Sequence, residues 1–119
     1  MAKLDLNVLT KLDPSQIFQV IEFRGQMDKS NNQEVRDALS NFIDKFSDAN
    51  LVFDLKYFEF INSEGVGLLV SLHYKLKKLN KNLFLVSPQP RVNDVFSIIG
   101  LSKIVPIFDN LESALTNLK

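Results

Sequence analysis

The chain contains no cysteine and no tryptophan, and it has one histidine, His73. Without cysteine there is no disulfide, no thiol nucleophile and no thiolate metal ligand, a usage that fits a reducing compartment. Neither sign of charge prevails. Fourteen basic residues offset fourteen acidic ones, so no global field draws nucleic acid or anionic lipid. No apolar run approaches the ~18 residues of a membrane span. Residues 1–10 mix Lys3 and Asp5 with apolar residues and lack the apolar core of a signal peptide. A soluble, cytoplasmic protein is expected.

What is present is enough for one domain over residues 1–119. Apolar residues make up 45% of the chain, and ten phenylalanines supply a core. Leu4, Leu6 and Val8 alternate with polar residues. Asp13-Pro14-Ser15 interrupts, and Ile17–Phe23 follows, the pattern of an antiparallel hairpin that Gly25-Gln26-Met27-Asp28 should end. Val35, Leu39, Phe42, Ile43 and Phe46 line one face of a helix over 31–47, with Asn31 and Glu34 as a capping box. Leu51–Leu55 and Leu83–Val86 read as buried parallel strands. Between them, residues 64–79 form a helix with Leu68, Leu69, Leu72, Leu76 and Leu79 on one face. Val92, Val95, Phe96 and Ile99 give a third helix, with Gly100 at its C′ position. Ile104–Ile107 reads as an edge strand, because Pro106 cannot donate a ladder bond. Leu111, Ala114, Leu115 and Leu118 make a last helix, capped by Asp109 or Asn110. The order β-β-α-β-α-β-α-β-α predicts an α/β fold: a mixed, mostly parallel sheet with an N-terminal hairpin and about four helices.

Chemistry is sparse. His73 lies on the second helix about ten residues from Ser63, ~15 Å in helical rise, too far for a nucleophile–base pair. A partly exposed helix histidine is the simpler reading. Asp54 and Glu59 flank the same junction without forming an acid/base pair. Gly65-Val66-Gly67 resembles a phosphate loop but lacks the third glycine of a dinucleotide fingerprint and the Lys-Ser/Thr of a P-loop. Close packing of a helix start on a strand explains two glycines better. Lys75, Lys77, Lys78 and Lys81 suit a helix C-terminus, and no interleaved aromatics mark a nucleic-acid surface. No catalytic residue, metal site or cofactor is expected. Ser63, between an apolar strand run and a helix start, stands beside unpaired backbone N–H groups, where a hydroxyl caps a helix or a phosphate is tolerated.

Three stretches carry a resemblance. Gly25-Gln26-Met27-Asp28 is similar to a Gly-x-Leu-Asp pattern. Val52-Phe53-Asp54-Leu55 through Phe60-Ile61-Asn62-Ser63-Glu64-Gly65-Val66-Gly67 is similar to a strand, loop and helix start that usually ends Asp-Ser-Ser-Gly-Leu-Gly. Val95–Leu101 is similar to Leu-Phe-x-x-x-Gly-Leu. In this order the chain resembles the STAS domain family, and within it the bacterial anti-sigma factor antagonists. The resemblance implies phosphorylation at Ser63 by an anti-sigma factor acting as a serine kinase, and reversal by a PP2C-type phosphatase. It implies a docking surface of Asp28, Asn62, Ser63, Glu64, Gly65 and Val66, and regulation of sigma-factor-dependent transcription by partner switching. Asn62 stands in place of the usual aspartate and Glu64 in place of the second serine. Asn62 keeps the capping ability, while Glu64 puts a negative charge next to any phosphate. The alternatives are a STAS module that scaffolds a stressosome or lipid-transport complex without phosphoregulation, and a nucleotide or anion sensor at residues 63–67.

Overall fold

The computed structural model describes residues 2–118. Its elements are β1 (Leu4–Val8), β2 (Phe18–Met27), α1 (Asn32–Asp44), β3 (Asn50–Ile61), α2 (Ser63–Lys78), β4 (Asn82–Val86), α3 (Pro90–Ile99), β5 (Ile107–Phe108) and α4 (Leu111–Leu115), with a 3-10 turn at Leu101–Lys103. The five strands form one sheet in the order β1-β2-β3-β4-β5. β1 runs antiparallel to β2, and the remaining pairs are parallel. The mixed α/β architecture with an N-terminal hairpin is as the sequence predicts. Among the described residues, no helix is long and apolar enough to cross a membrane.

The main core lies between the sheet and α1–α3. Ile21, Phe23, Phe53, Leu55, Leu83 and Leu85 from the strands meet Leu39, Leu69, Leu72 and Phe96 from the helices. Phe23 is its centre, 4.7 Å from the Phe53 ring and 5.4 Å, edge-on, from Phe58. Each such fully buried side chain contributes about 1.5–3 kcal/mol. A smaller cluster of Val20, Val52, Phe84, Val86 and Ala114 lies under α4 on the opposite face.

Several boundaries differ from the sequence expectation, each for a local reason. The hairpin pairing ends at Gly25, opposite Leu4, as expected, but the strand does not stop there. β2 runs through it to Met27, and β3 extends alongside to Ile61, with register shifts at Glu22/Arg24 and Gly25/Gln26. Gly25 makes this possible with φ +122°; a Cβ there would lie 2.1 Å from the Lys3 carbonyl oxygen. That same oxygen accepts a bond from the Gln26 N–H at 2.9 Å. The Asn31–Glu34 capping box does not form. Instead the Asn31 side chain accepts from the Asp28 N–H and donates to the Gln26 carbonyl, bracing the turn before α1. Helix α1 ends at Asp44, short of residue 47, and α2 ends at Lys78, leaving Leu79 47% exposed. The last strand begins after Pro106, whose carbonyl still accepts from the Leu85 N–H at 3.0 Å. Asn110 is the cap of α4, accepting from the Ser113 N–H at 2.8 Å, and α4 stops at Leu115.

Two lysines late in α2, and Lys81 just after it, bind within the fold. Lys75 reaches Asp44 at 2.7 Å and the Ser40 hydroxyl at 3.2 Å on α1. Lys77 reaches Asn82 at 2.9 Å, and Lys81 bonds to the Phe46 carbonyl.

Candidate functional site

The parallel pairing of Met27 with Ile61 brings two loops to the same end of the sheet. One is the turn from Asp28 to Asn31, which leads into α1. The other is the single residue Asn62, which leads into α2. The predicted site residues from both stretches therefore share one edge.

Asn62 is extended (φ −99°, ψ 177°), and its side-chain oxygen accepts from the Gly65 N–H at 2.9 Å. Its carbonyl accepts from the Val66 N–H at 3.1 Å, the first bond of the helix. Asn62 is thus the N-cap, and Ser63 is the first helical residue. This corrects the reading of Ser63 as a cap: an asparagine one residue earlier already holds that role. The Ser63 side chain is exposed, as is Glu64 beside it in the first turn. Both stand at the positive end of the α2 dipole.

Gly65 and Val66 are placed differently. Val66 is 1% exposed, within the main core. A Cβ on Gly65 would lie 2.6 Å from Ile61 Cγ1 and 3.0 Å from the Met27 sulfur. These two residues seat the helix on β2 and β3, and their side-chain positions are closed to a docking partner. The packing explanation holds for Gly65 and fails for Gly67. Gly67 is exposed, and nothing lies within 4 Å of a Cβ built on it. Sequence reasoning left Gly67 out of the candidate surface, although its spacing, four residues after Ser63, places it one turn along the same helix face.

Asp28 is half-buried and locally engaged. Its carboxylate accepts from the Ser30 hydroxyl at 2.6 Å and the Ser30 N–H at 2.7 Å, and these bonds hold its pKa below the ordinary aspartate value. The Ser30 hydroxyl in turn accepts from the Ala2 N–H. Asp28 therefore shapes the turn beside the α2 start.

The remaining polar candidates lie elsewhere. His73 is 8% exposed, a correction to the partly exposed placement, because residue 73 turns inward with Leu69, Leu72 and Leu76. Its ring stands edge-on to Tyr74 at 5.1 Å, and among the described residues its Nδ1 has no hydrogen-bond partner. Burial first, and Lys77 second, lower its pKa. Asp54 is buried, pairs with Lys56 at 3.5 Å, and neighbours Glu22 across the β2–β3 register. Burial pushes the Glu22 carboxyl up, but bonds from Asn7 and Arg24 and the charges of Arg24 and Lys56 bring it below its ordinary value. Among the described residues, no three His, Cys, Asp or Glu side chains group as metal ligands.

Residues 10–114 match the family model of the STAS domain. The chain belongs to the STAS domain family. Among its relatives is the anti-sigma F factor antagonist of Paenibacillus polymyxa, 24% identical over 114 residues, covering 96% of this chain and 97% of that protein. The crystal structure of an anti-sigma factor antagonist from Mycobacterium paratuberculosis shares the fold, with a TM-score of 0.81, 24% identity and coverage of 96% and 92%. So does the anti-sigma factor antagonist SpoIIAA in its unphosphorylated form, with a TM-score of 0.73, 22% identity and coverage of 93% of each chain. The phosphorylated form of the Bacillus cell fate determinant SpoIIAA aligns with a TM-score of 0.63, 20% identity and full coverage of both chains. In this STAS domain the β3–α2 junction offers one exposed hydroxyl, a neighbouring carboxylate and a bare helix backbone at Gly67.

Proposed function

We propose that this STAS domain is an anti-sigma factor antagonist regulated at Ser63. Unphosphorylated, it docks on an anti-sigma factor with serine kinase activity and so frees a sigma factor. Phosphorylated, it lets go, and a PP2C-type phosphatase resets it. The domain is the kinase's substrate and acts in the cytoplasm. The docking surface runs from the Asp28 turn across Asn62, Ser63 and Glu64 to Gly67, with Gly65 and Val66 as its buried support.

One observation carries this reading: Ser63 is exposed at the first helical position, while Asn62 does the capping. A hydroxyl free of structural duty can be esterified without opening the helix. The phosphate would bring nearly two negative charges and three acceptor oxygens to the helix start, where the dipole tolerates them within this chain. At a docked surface the same group, next to Glu64, adds bulk and like-charge repulsion.

The test is incubation of the domain with the cognate anti-sigma kinase and ATP, read by intact mass. Wild type gains one phosphate and Ser63→Ala gains none. Ser63→Asp weakens kinase binding by at least about tenfold, or ~1.4 kcal/mol. An unmodified wild type, or equal modification of Ser63→Ala, overturns the proposal. Unchanged binding by Ser63→Asp would instead assign the domain to a scaffold.

A further inference from the structure

β1 is an outer strand of the sheet, and one of its edges meets no other strand. Its bonds to β2 run through alternate residues. The Gln26 N–H donates to the Lys3 carbonyl at 2.9 Å, and the Leu9 N–H donates to the Val20 carbonyl at 2.9 Å. Lys3, Asp5, Asn7 and Leu9 therefore turn their backbone groups to β2, while Leu4, Leu6 and Val8 turn theirs to the open edge. Among the described residues, nothing bonds to these edge groups. Such an edge is a template for another strand. The side chains divide between the two faces of the sheet. Leu4 and Leu6 pack against the main core, whereas Lys3 and Asp5 are exposed on the opposite face. Among the described residues, neither Lys3 nor Asp5 forms an ion pair. Arg24, directly across from Asp5 on β2, turns to Glu22 at 3.1 Å and lies over the Tyr57 ring at 4.1 Å. The edge strand thus carries one cation and one anion, two residues apart on one face, and neither is matched within the described chain.

We propose that the β1 edge pairs antiparallel with the β1 edge of a second copy, about a two-fold axis through Leu4. A two-fold contact must be self-complementary. In this register Leu4 lies opposite Leu4 of the second copy, Lys3 lies opposite Asp5, and by symmetry Asp5 lies opposite Lys3. Two ion pairs form from four charges that the single chains leave unmatched, and opposite charges directly across a strand pair favour it. The register centred on Asp5 sets two carboxylates face to face. The register centred on Leu6 leaves Lys3 without a counter-charge and sets Asp5 opposite Asn7, whose amide already donates to Glu22. A lysine on an edge by itself keeps copies apart. The aspartate two residues on turns that repulsion into attraction in one register, which a strand of unrelated sequence has no reason to match. The backbone groups of the two Leu4 residues exchange both their bonds, and each Leu6 N–H reaches the Ala2 carbonyl of the other copy. Leu4 and Leu6 keep to the core face in both copies, so the two sheets continue into one. Ser63 follows β3, two strands from this edge, and takes no part.

The experiment is sedimentation equilibrium of the full chain and of two charge reversals, Lys3→Asp and Asp5→Lys. Wild type shows a concentration-dependent dimer that added salt weakens. Each variant alone sets like charges opposite each other and weakens the dimer at least about tenfold, with an unchanged circular dichroism spectrum. An equimolar mixture of the two variants regains a dimer of wild-type strength, because both pairs across the axis are again of opposite sign. Mixing would not recover a loss of folding. A wild type that stays monomeric up to ~1 mM overturns the proposal, and would leave Lys3 and Asp5 as guards of an unpaired edge. A dimer that either reversal leaves intact, or that mixing does not restore, overturns it as well and places the contact elsewhere.

Discussion

Asn62 and Ser63 divide two duties that one residue could have held. The Asn62 side chain satisfies the Gly65 N–H, and the Ser63 hydroxyl stands exposed. Substitution should separate them. Asn62→Ala leaves that N–H without its partner at the helix start and lowers stability by about 1 kcal/mol. Ser63→Ala, at an exposed position with no such bond, changes stability by less than about 0.5 kcal/mol. Urea denaturation of the two variants measures both, and an equal loss would put the cap on the serine. Residue type alone did not decide this, since asparagine and serine are both strong caps. Backbone geometry makes the choice: Asn62 is extended, and Ser63 is the first residue of the helix.

At the scale of the element, α2 holds two glycines with opposite reasons. Gly65 is required by Ile61 and Met27, whereas Gly67 meets nothing within the molecule. A glycine inside a helix costs about 1 kcal/mol relative to alanine. Gly67→Ala should therefore stabilise the domain by that amount, while placing a methyl group on the proposed docking face and weakening partner binding. Gly65→Ala should destabilise it. A rise in melting temperature with reduced kinase binding would be the signature for Gly67; unchanged binding would remove it from the surface. The elements themselves were legible because α1, α2 and α3 repeat apolar residues at helical spacing, and β3 and β4 are continuous apolar runs. Their ends were not. The extension of β3 to Ile61 depends on β2 continuing beside it, which depends on Gly25 making room for the Lys3 carbonyl. That is a contact between residues far apart in sequence, and no local pattern encodes it. The candidate site divides in the same way: the exposure of Ser63 and Glu64 accords with their polar side chains, whereas the burial of Val66 and the open space at Gly67 depend on how α2 sits on the sheet.

Over the whole molecule, the sheet sets the Ser63 junction at one end of the parallel strands β2 and β3. The fold responds to pH through few groups, some at its surface and some in its interior. The carboxyls of Asp13, Glu22 and Asp28 are held below their ordinary values, so the stability they confer is lost only as pH falls through those lowered values. His73 acts at higher pH. Burial and Lys77 depress its folded pKa below the ordinary 6.5, so the unfolded chain takes up the proton first as the solution is acidified. The stability linked to neutral His73 is thus complete above about pH 6.5 and declines as pH falls from there through the folded value. As it is the only histidine in the chain, the decline between pH 7 and 5 belongs to it. Urea midpoints across that range should fall for wild type and stay level for His73→Leu, whatever the absolute stability of the variant. A slope that persists in His73→Leu would show that another group carries the proton linkage and that the imidazole is not held neutral by its burial.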